Sequence, residues 1–204
     1  MPLIASRICV LVWLPSMLRH DDCYRSVKVG FLSTDLLTAI GVAATAAIAQ
    51  GRYTEHEHSH IDKLHFFSVR DEFPVLNDYM ADCTVPCRIG VQLLPPNIVM
   101  PVHVDDRYLE NRQTCIATSL FPDHDIPSTN WYEAEGDLGR PVVTARWSLH
   151  DSKLLNIQRW HGGIATDDRW RGMLHCNFSN SFAEIAALID QGLLFKNHAC
   201  DWIT

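Results

Sequence analysis

From Ser33 onward the apolar positions follow a helical period. A Ser33-Thr34 cap and an acidic first turn at Asp35 precede Leu36, Leu37, Ile40, Val42, Ala43 and Ile48, and Gly51 closes the run. This pattern predicts a helix of about fifteen residues whose Ala-rich small faces can lie close on a sheet. A second helical stretch is predicted over 73–80, and a third, capped by Ser181 and carrying Ala183, Ile185, Ala186, Leu188 and Ile189, ends near Gly192. Beyond residue 87 the texture becomes β. Apolar runs of strand length at 88–94, 99–104, 114–121, 142–149, 154–160 and 170–178 are separated by Pro, Gly, Asn and Asp clusters. Short strands so closely spaced predict a sandwich or barrel, so the fold class is α+β, mainly β, with helices first, barrel second and a helix last.

Three segments break this pattern. Residues 1–32 mix short apolar runs with Pro15 and His20-Asp21-Asp22 without a sustained period and are read as an irregular extension, leaving 33–204 as a single domain with its barrel core at about 87–179. Residues 122–140, with Pro127, Gly136 and Gly139, are predicted to form a long functional loop over the barrel mouth. The run Glu55-His56-Glu57-His58-Ser59-His60 is predicted to be a solvated loop. Extended, it would line up His56, His58 and His60 on one face.

Charge and cysteine usage narrow the function classes. Seventeen Lys and Arg against twenty-four Asp and Glu give a net charge of −7, without the basic footprint of a nucleic-acid binder. No apolar run is long enough to span a membrane, and the short stretch 8–15 lacks a following cleavage site, so neither a membrane partner nor a secretory signal is expected. Seven cysteines, odd in number and scattered through apolar segments, fit a reducing cytoplasm rather than a disulfide framework. Cys83 and Cys87 lack a second Cys/His pair at zinc-site spacing and are read as partly buried thiols.

The chemistry concentrates at Pro95-Pro96-Asn97-Ile98-Val99-Met100-Pro101-Val102-His103-Val104-Asp105. On a strand, residues i and i+2 share a face, so His103 and Asp105 can point at one centre. Two His and one carboxylate with open positions form the facial site of non-haem Fe(II) oxygenases. A third ligand must then come from elsewhere, and His150, His161 and His175 compete for the place. His161 is favoured: Gly162 and Gly163 permit close approach, and Arg171, ten residues on, offers a permanently charged fork for the far carboxylate of a dicarboxylate cosubstrate. His150 with Arg159 has a similar spacing. His175 shares a strand face with Arg171, Met173 and Asn177 and is expected to line the pocket without binding metal.

The order His103-x-Asp105, His161, Arg171 resembles the double-stranded β-helix dioxygenases that use Fe(II) and 2-oxoglutarate, over about residues 87–179. Arg112, nine residues after His103, makes the pattern most similar to the aspartyl/asparaginyl β-hydroxylase branch, although Thr114 stands where that branch has His. The resemblance implies a jelly-roll or cupin-like barrel. It also implies His103, Asp105 and His161 as iron ligands, and Arg171 and Arg112 as 2-oxoglutarate-binding residues. The implied activity is hydroxylation of an unactivated C–H bond in an amino acid, peptide side chain or small metabolite. The alternative is a cupin-like metal-binding isomerase or sensor without 2-oxoglutarate. Asp123, His124, Asp125, Trp131, Tyr132, Glu133 and Glu135 are expected to form an acidic, aromatic rim favouring a substrate with an amine or guanidinium.

Overall fold

The computed structural model describes residues 18–58, 61–105, 112–134, 140–162 and 167–203. Helix α1 (His20–Cys23) leads into strand β1 (Tyr24–Val29), and α2 (Thr34–Ala49) follows, with the Ser33 side chain accepting from the Leu36 N–H as its cap. Strands β2 (Thr54–His58) and β3 (Ile61–Phe67) form a hairpin ahead of α3 (Val69–Glu72) and α4 (Val75–Asp82). Then come β4 (Cys87–Leu94), β5 (Thr114–Phe121), β6 (Thr129–Trp131), β7 (Val143–Ala145), β8 (Ser152–Asn156), β9 (His161–Gly162) and β10 (Arg171–Phe178). Helix α5 (Phe182–Asp190), closed by a Ser181–Glu184 capping box, and β11 (Cys200–Trp202) end the chain.

The strands form an eight-stranded antiparallel sheet, ordered β11-β1-β8-β5-β10-β4-β3-β2, and a three-stranded sheet, β7-β6-β9. Both faces of the large sheet are covered, which is why its central strands read as nearly continuous apolar runs. One face, with Val27, Val91, Leu93, Ile116, Leu154, Leu174 and Phe178, packs against Leu37, Ile40 and Ala44 of α2, Leu76 of α4 and Ile185 of α5. The other face, with Cys115, Ala117, Leu155 and Met173, packs against Trp131, Val143, Ala145 and Trp147 from the small sheet and its flank. Each fully buried Ile or Leu contributes roughly 1.5–3 kcal/mol of transfer free energy to this double core.

Several expectations are corrected here. Residues 24–29 are no irregular extension: β1 is paired on both sides, with β11 and β8, because Val27 and Val29 supply the inward face that YRSVKV otherwise disguises with polar residues. The large sheet likewise draws β1, β2, β3 and β11 from outside 87–179. Residues 54–58 of the histidine tract form an edge strand, where polar side chains are tolerated; His60 lies outside the described residues. Residues 99–104 do not form a named strand; they are held by an isolated bridge at His103. The 122–140 segment contains β6, and Trp131 and Tyr132 are buried rather than on a rim, with the Trp131 indole N–H donating to the Asn156 carbonyl. Glu135 lies outside the described residues, while Asp123 and His124 are exposed and Arg169 meets His124 and Asp167.

Candidate metal and cosubstrate site

His103 and His161 are joined through their backbones. The His103 N–H donates to the His161 carbonyl at 2.8 Å and the His161 N–H returns the bond at 2.9 Å, while the Asp105 N–H donates to the Ile157 carbonyl at 3.0 Å. The segment carrying His103 and Asp105 therefore runs along the 157–162 segment, and β9 pairs on its other side with β6 at Trp131↔His161. Gly162 makes the approach possible: its φ is +142°, and a Cβ there would lie 2.2 Å from the Pro101 carbonyl oxygen. The glycine read from the sequence as permitting close approach does so against the segment that carries His103.

His103, Asp105 and His161 are all buried, and one ligand atom from each lies within 4.8 Å of the other two. The His103 Nδ1–H donates to the Pro101 carbonyl at 2.8 Å, and the His161 Nδ1–H donates to the Arg159 carbonyl at 2.9 Å. These bonds fix both tautomers and leave each Nε2 with a lone pair. The His103 Nε2 stands 3.1 Å from Asp105 Oδ1, so a neutral ring would set a lone pair against a carboxylate. A cation between them, a proton or a metal ion, resolves that conflict. Burial disfavours a charged His103, but its contact with Asp105 outweighs burial and shifts it upward. Burial, aided by the neighbouring His103, pushes His161 down to about 4, a ring that offers its lone pair at neutral pH. Asp105 resists its own burial: the Arg112 guanidinium and the two imidazoles hold its carboxyl well below the usual range.

The triad opens on a cavity of about 60 Å³ lined also by Leu94, Met100, Trp147, Arg171 and Met173. That is several times the roughly 10–15 Å³ that one water requires, enough for a compact ligand. Arg171 is only 2% exposed, its Nε and Nη1 have no hydrogen-bond partner among the described residues, and its guanidinium lies 5.8 Å from the Trp147 ring. Burial without a counter-charge pushes it down to about 9. A buried guanidinium with free donors fits an anionic ligand, as a carboxylate would supply.

Of the sequence-derived candidates, His103, Asp105, Arg112, His161, Arg171 and His175 line this one cavity. His150 does not: it has a φ of +64° in a turn and lines a separate groove with Thr38 and Gly41 of α2. Arg112, expected as a cosubstrate-binding residue, lines the cavity and contacts Asp105 Oδ2 at 2.5 Å and Asn177 Oδ1 at 3.2 Å. Trp147 and Asn177 carried no such signal in the sequence, because their roles arise only when β10 meets the small sheet and the 112 region.

No family model and no curated protein matches the chain in sequence. Solved structures do resemble it. A prolyl-4-hydroxylase from Pseudomonas putida superposes with a TM-score of 0.52 at 14% identity, covering 77% of this chain and 92% of that one. A Trichoplax adhaerens prolyl hydroxylase, solved with a hypoxia-inducible-factor peptide, gives 0.52 at 11% identity over 82% and 87%. A non-haem α-ketoglutarate-dependent epimerase of nogalamycin biosynthesis gives 0.51 at 14% identity over 78% and 79%. At these identities the likeness is one of fold.

Proposed function

We propose that the protein is an Fe(II)- and 2-oxoglutarate-dependent oxygenase built on a double-stranded β-helix. The observation that carries this reading is the pairing, in one cavity, of a buried His-Asp-His array with a buried arginine whose Nε and Nη1 have no hydrogen-bond partner among the described residues. The structural neighbours support it, since they include prolyl hydroxylases and an α-ketoglutarate-dependent epimerase. None of these is an aspartyl/asparaginyl hydroxylase, so the assignment is made at the level of the superfamily.

In this reading His103 and His161 offer Nε2 and Asp105 offers Oδ1 to the metal, while Arg171 grips the far carboxylate of the cosubstrate. When bound, Fe(II) with 2-oxoglutarate supplies oxidative decarboxylation by dioxygen, yielding succinate and CO2 with one oxygen atom delivered to a substrate C–H bond. The protein's share is positioning and exclusion of water: Trp147, Leu94, Met100 and Met173 wall the cavity, and the Pro101 and Arg159 carbonyls hold the imidazoles in orientation. The substrate class is an amino acid, a peptide side chain or a small metabolite, acted on in the cytoplasm. The cupin-like alternative leaves the Arg171 fork without a use. The test is succinate formation from 2-oxoglutarate by protein loaded anaerobically with Fe(II) and then exposed to air, which proceeds slowly even without substrate. Failure of metal-loaded protein to consume 2-oxoglutarate would overturn the reading.

A further inference from the structure

His175 lines the same cavity and takes no part in the triad or the Arg171 fork. Alternation along β10 places Arg171, Met173 and His175 on the face toward the site. In register, His175 stands between Gly90 of β4 and Ala117 of β5, so the residues on either side present no side chain or only a methyl group. A Cβ at Gly90 would meet nothing within 4 Å, which shows that the sheet leaves space there. The His175 Nδ1 is buried and has no hydrogen-bond partner among the described residues. Burial and the nearby Arg112 and Arg171 cations push its pKa down, to about 3, while Asp105 opposes them, so the ring is neutral and carries a single N–H. Arg171, Met173, His175 and Asn177 follow one another on that face, and Asn177 meets Arg112, which contacts Asp105, so His175 stands between the Arg171 end and the triad end of the cavity.

Resting on the oxygenase reading, we propose that His175 is a second cosubstrate-binding residue: its imidazole N–H donates to the carboxylate of the 2-oxo acid end, beside the metal, while Arg171 takes the far carboxylate. Met173, between them on the strand, offers an apolar wall for the methylene segment that separates the two carboxylates. The neutral ring supplies the hydrogen bond without adding a cation beside the metal, and the bond satisfies a polar group that is otherwise buried unpaired.

The test uses the full-length protein loaded with Mn(II), which does not turn over, titrated calorimetrically with 2-oxoglutarate and with oxalate. Oxalate keeps two adjacent carboxylates to chelate a metal but lacks the far carboxylate that Arg171 would hold. Arg171→Met is expected to weaken 2-oxoglutarate by about ten- to a hundredfold and to leave oxalate unchanged. His175→Phe and His175→Leu are expected to weaken both ligands by about tenfold, with Mn(II) affinity within about twofold of the wild type. His175→Gln, which keeps a donor, should recover most of the loss. If both apolar variants bind the two ligands like the wild type, or lose Mn(II) in parallel, His175 is not a cosubstrate residue. Wild-type protein that takes up Mn(II) but neither ligand would overturn the oxygenase reading itself, and His175's role with it.

Discussion

Two buried carboxylates, each paired with a histidine, lie in different parts of the molecule, and they differ in what the protein leaves unsatisfied. Asp82, at the end of α4, accepts from the Asn197 backbone N–H at 3.1 Å, from Asn197 Nδ2 at 2.6 Å and from His198 Nδ1 at 2.7 Å. The His198 ring is set edge-on to Phe31 and Tyr79, so this pair ties the C-terminal segment to α4. Asp105 is just as buried, but only its Oδ2 is saturated, by Arg112. Its Oδ1 faces a histidine nitrogen whose partner nitrogen has already spent its hydrogen on a backbone carbonyl. The same two residue types make a clamp where the imidazole hydrogen points at the carboxylate. They leave a place suited to a cation where it points away.

The contrast is broken most severely by removing a ligand. His161→Ala should lower Mn(II) or Fe(II) affinity by well over a hundredfold, more than the ten- to hundredfold typical of losing an outer partner, as read by calorimetry. Asp82→Ala should leave metal affinity unchanged. Next in size is Gly162→Ala. A side chain at a φ of +142° and 2.2 Å from the Pro101 carbonyl must push apart the bridge that holds His103 against His161. Metal affinity should fall by at least about tenfold, and the melting temperature should fall with it.

Asp82→Ala acts on stability alone, with an expected drop in melting temperature of about 5 °C, because it strips acceptors from Asn197 and His198. The sign of its pH dependence follows from direction: the bond from His198 holds the Asp82 carboxyl below its ordinary value. Its stabilisation is therefore complete above the usual carboxylate range and is lost as pH falls through the depressed folded value. Acid unfolding of Asp82→Asn should show a shallower loss over that range than the wild type.

The smallest effect separates the two imidazoles of the proposed metal site. The Asp105 contact raises His103 against its burial, whereas burial drives His161 down to about 4. Metal competes with the proton on His103, so affinity should rise with pH through the neutral range and level off once His103 is deprotonated. Calorimetry near pH 6.5 in buffers of different ionisation enthalpy should show proton release on metal binding of less than or about one equivalent. Release approaching two would mean that His161 is also charged in the free protein.

The sequence exposed those parts of the molecule that rest on local rules. Ser33 and Ser181 cap α2 and α5 as their spacing indicates, and the apolar runs of β4, β5 and β10 are the strands buried on both faces. His103, Asp105, His161 and Arg171 were recognisable from spacing and residue chemistry together. Elements whose stability comes from distant partners were hidden. In β1, Arg25, Ser26 and Lys28 interrupt the apolar pattern, and β2 is an edge strand of Thr, Glu and His. Trp131 looked like a rim aromatic because nothing local shows that β9 and β7 flank its strand and that Tyr24 stacks on its ring. Arg112 meets Asp105 from seven residues along the chain, and Asn177 comes to it from a strand 65 residues away.

The central claim is that one cavity holds a metal at His103, Asp105 and His161 and a 2-oxo dicarboxylate whose far end lies on Arg171. A crystal structure of the Mn(II)-loaded protein grown with 2-oxoglutarate, with the metal located by its anomalous signal, tests it most directly. The account predicts Mn(II) on His103 Nε2, His161 Nε2 and one Asp105 oxygen, with the distal carboxylate on the Arg171 guanidinium. Mn(II) bound elsewhere, such as at the His56 and His58 strand, or 2-oxoglutarate lying clear of Arg171, would contradict it.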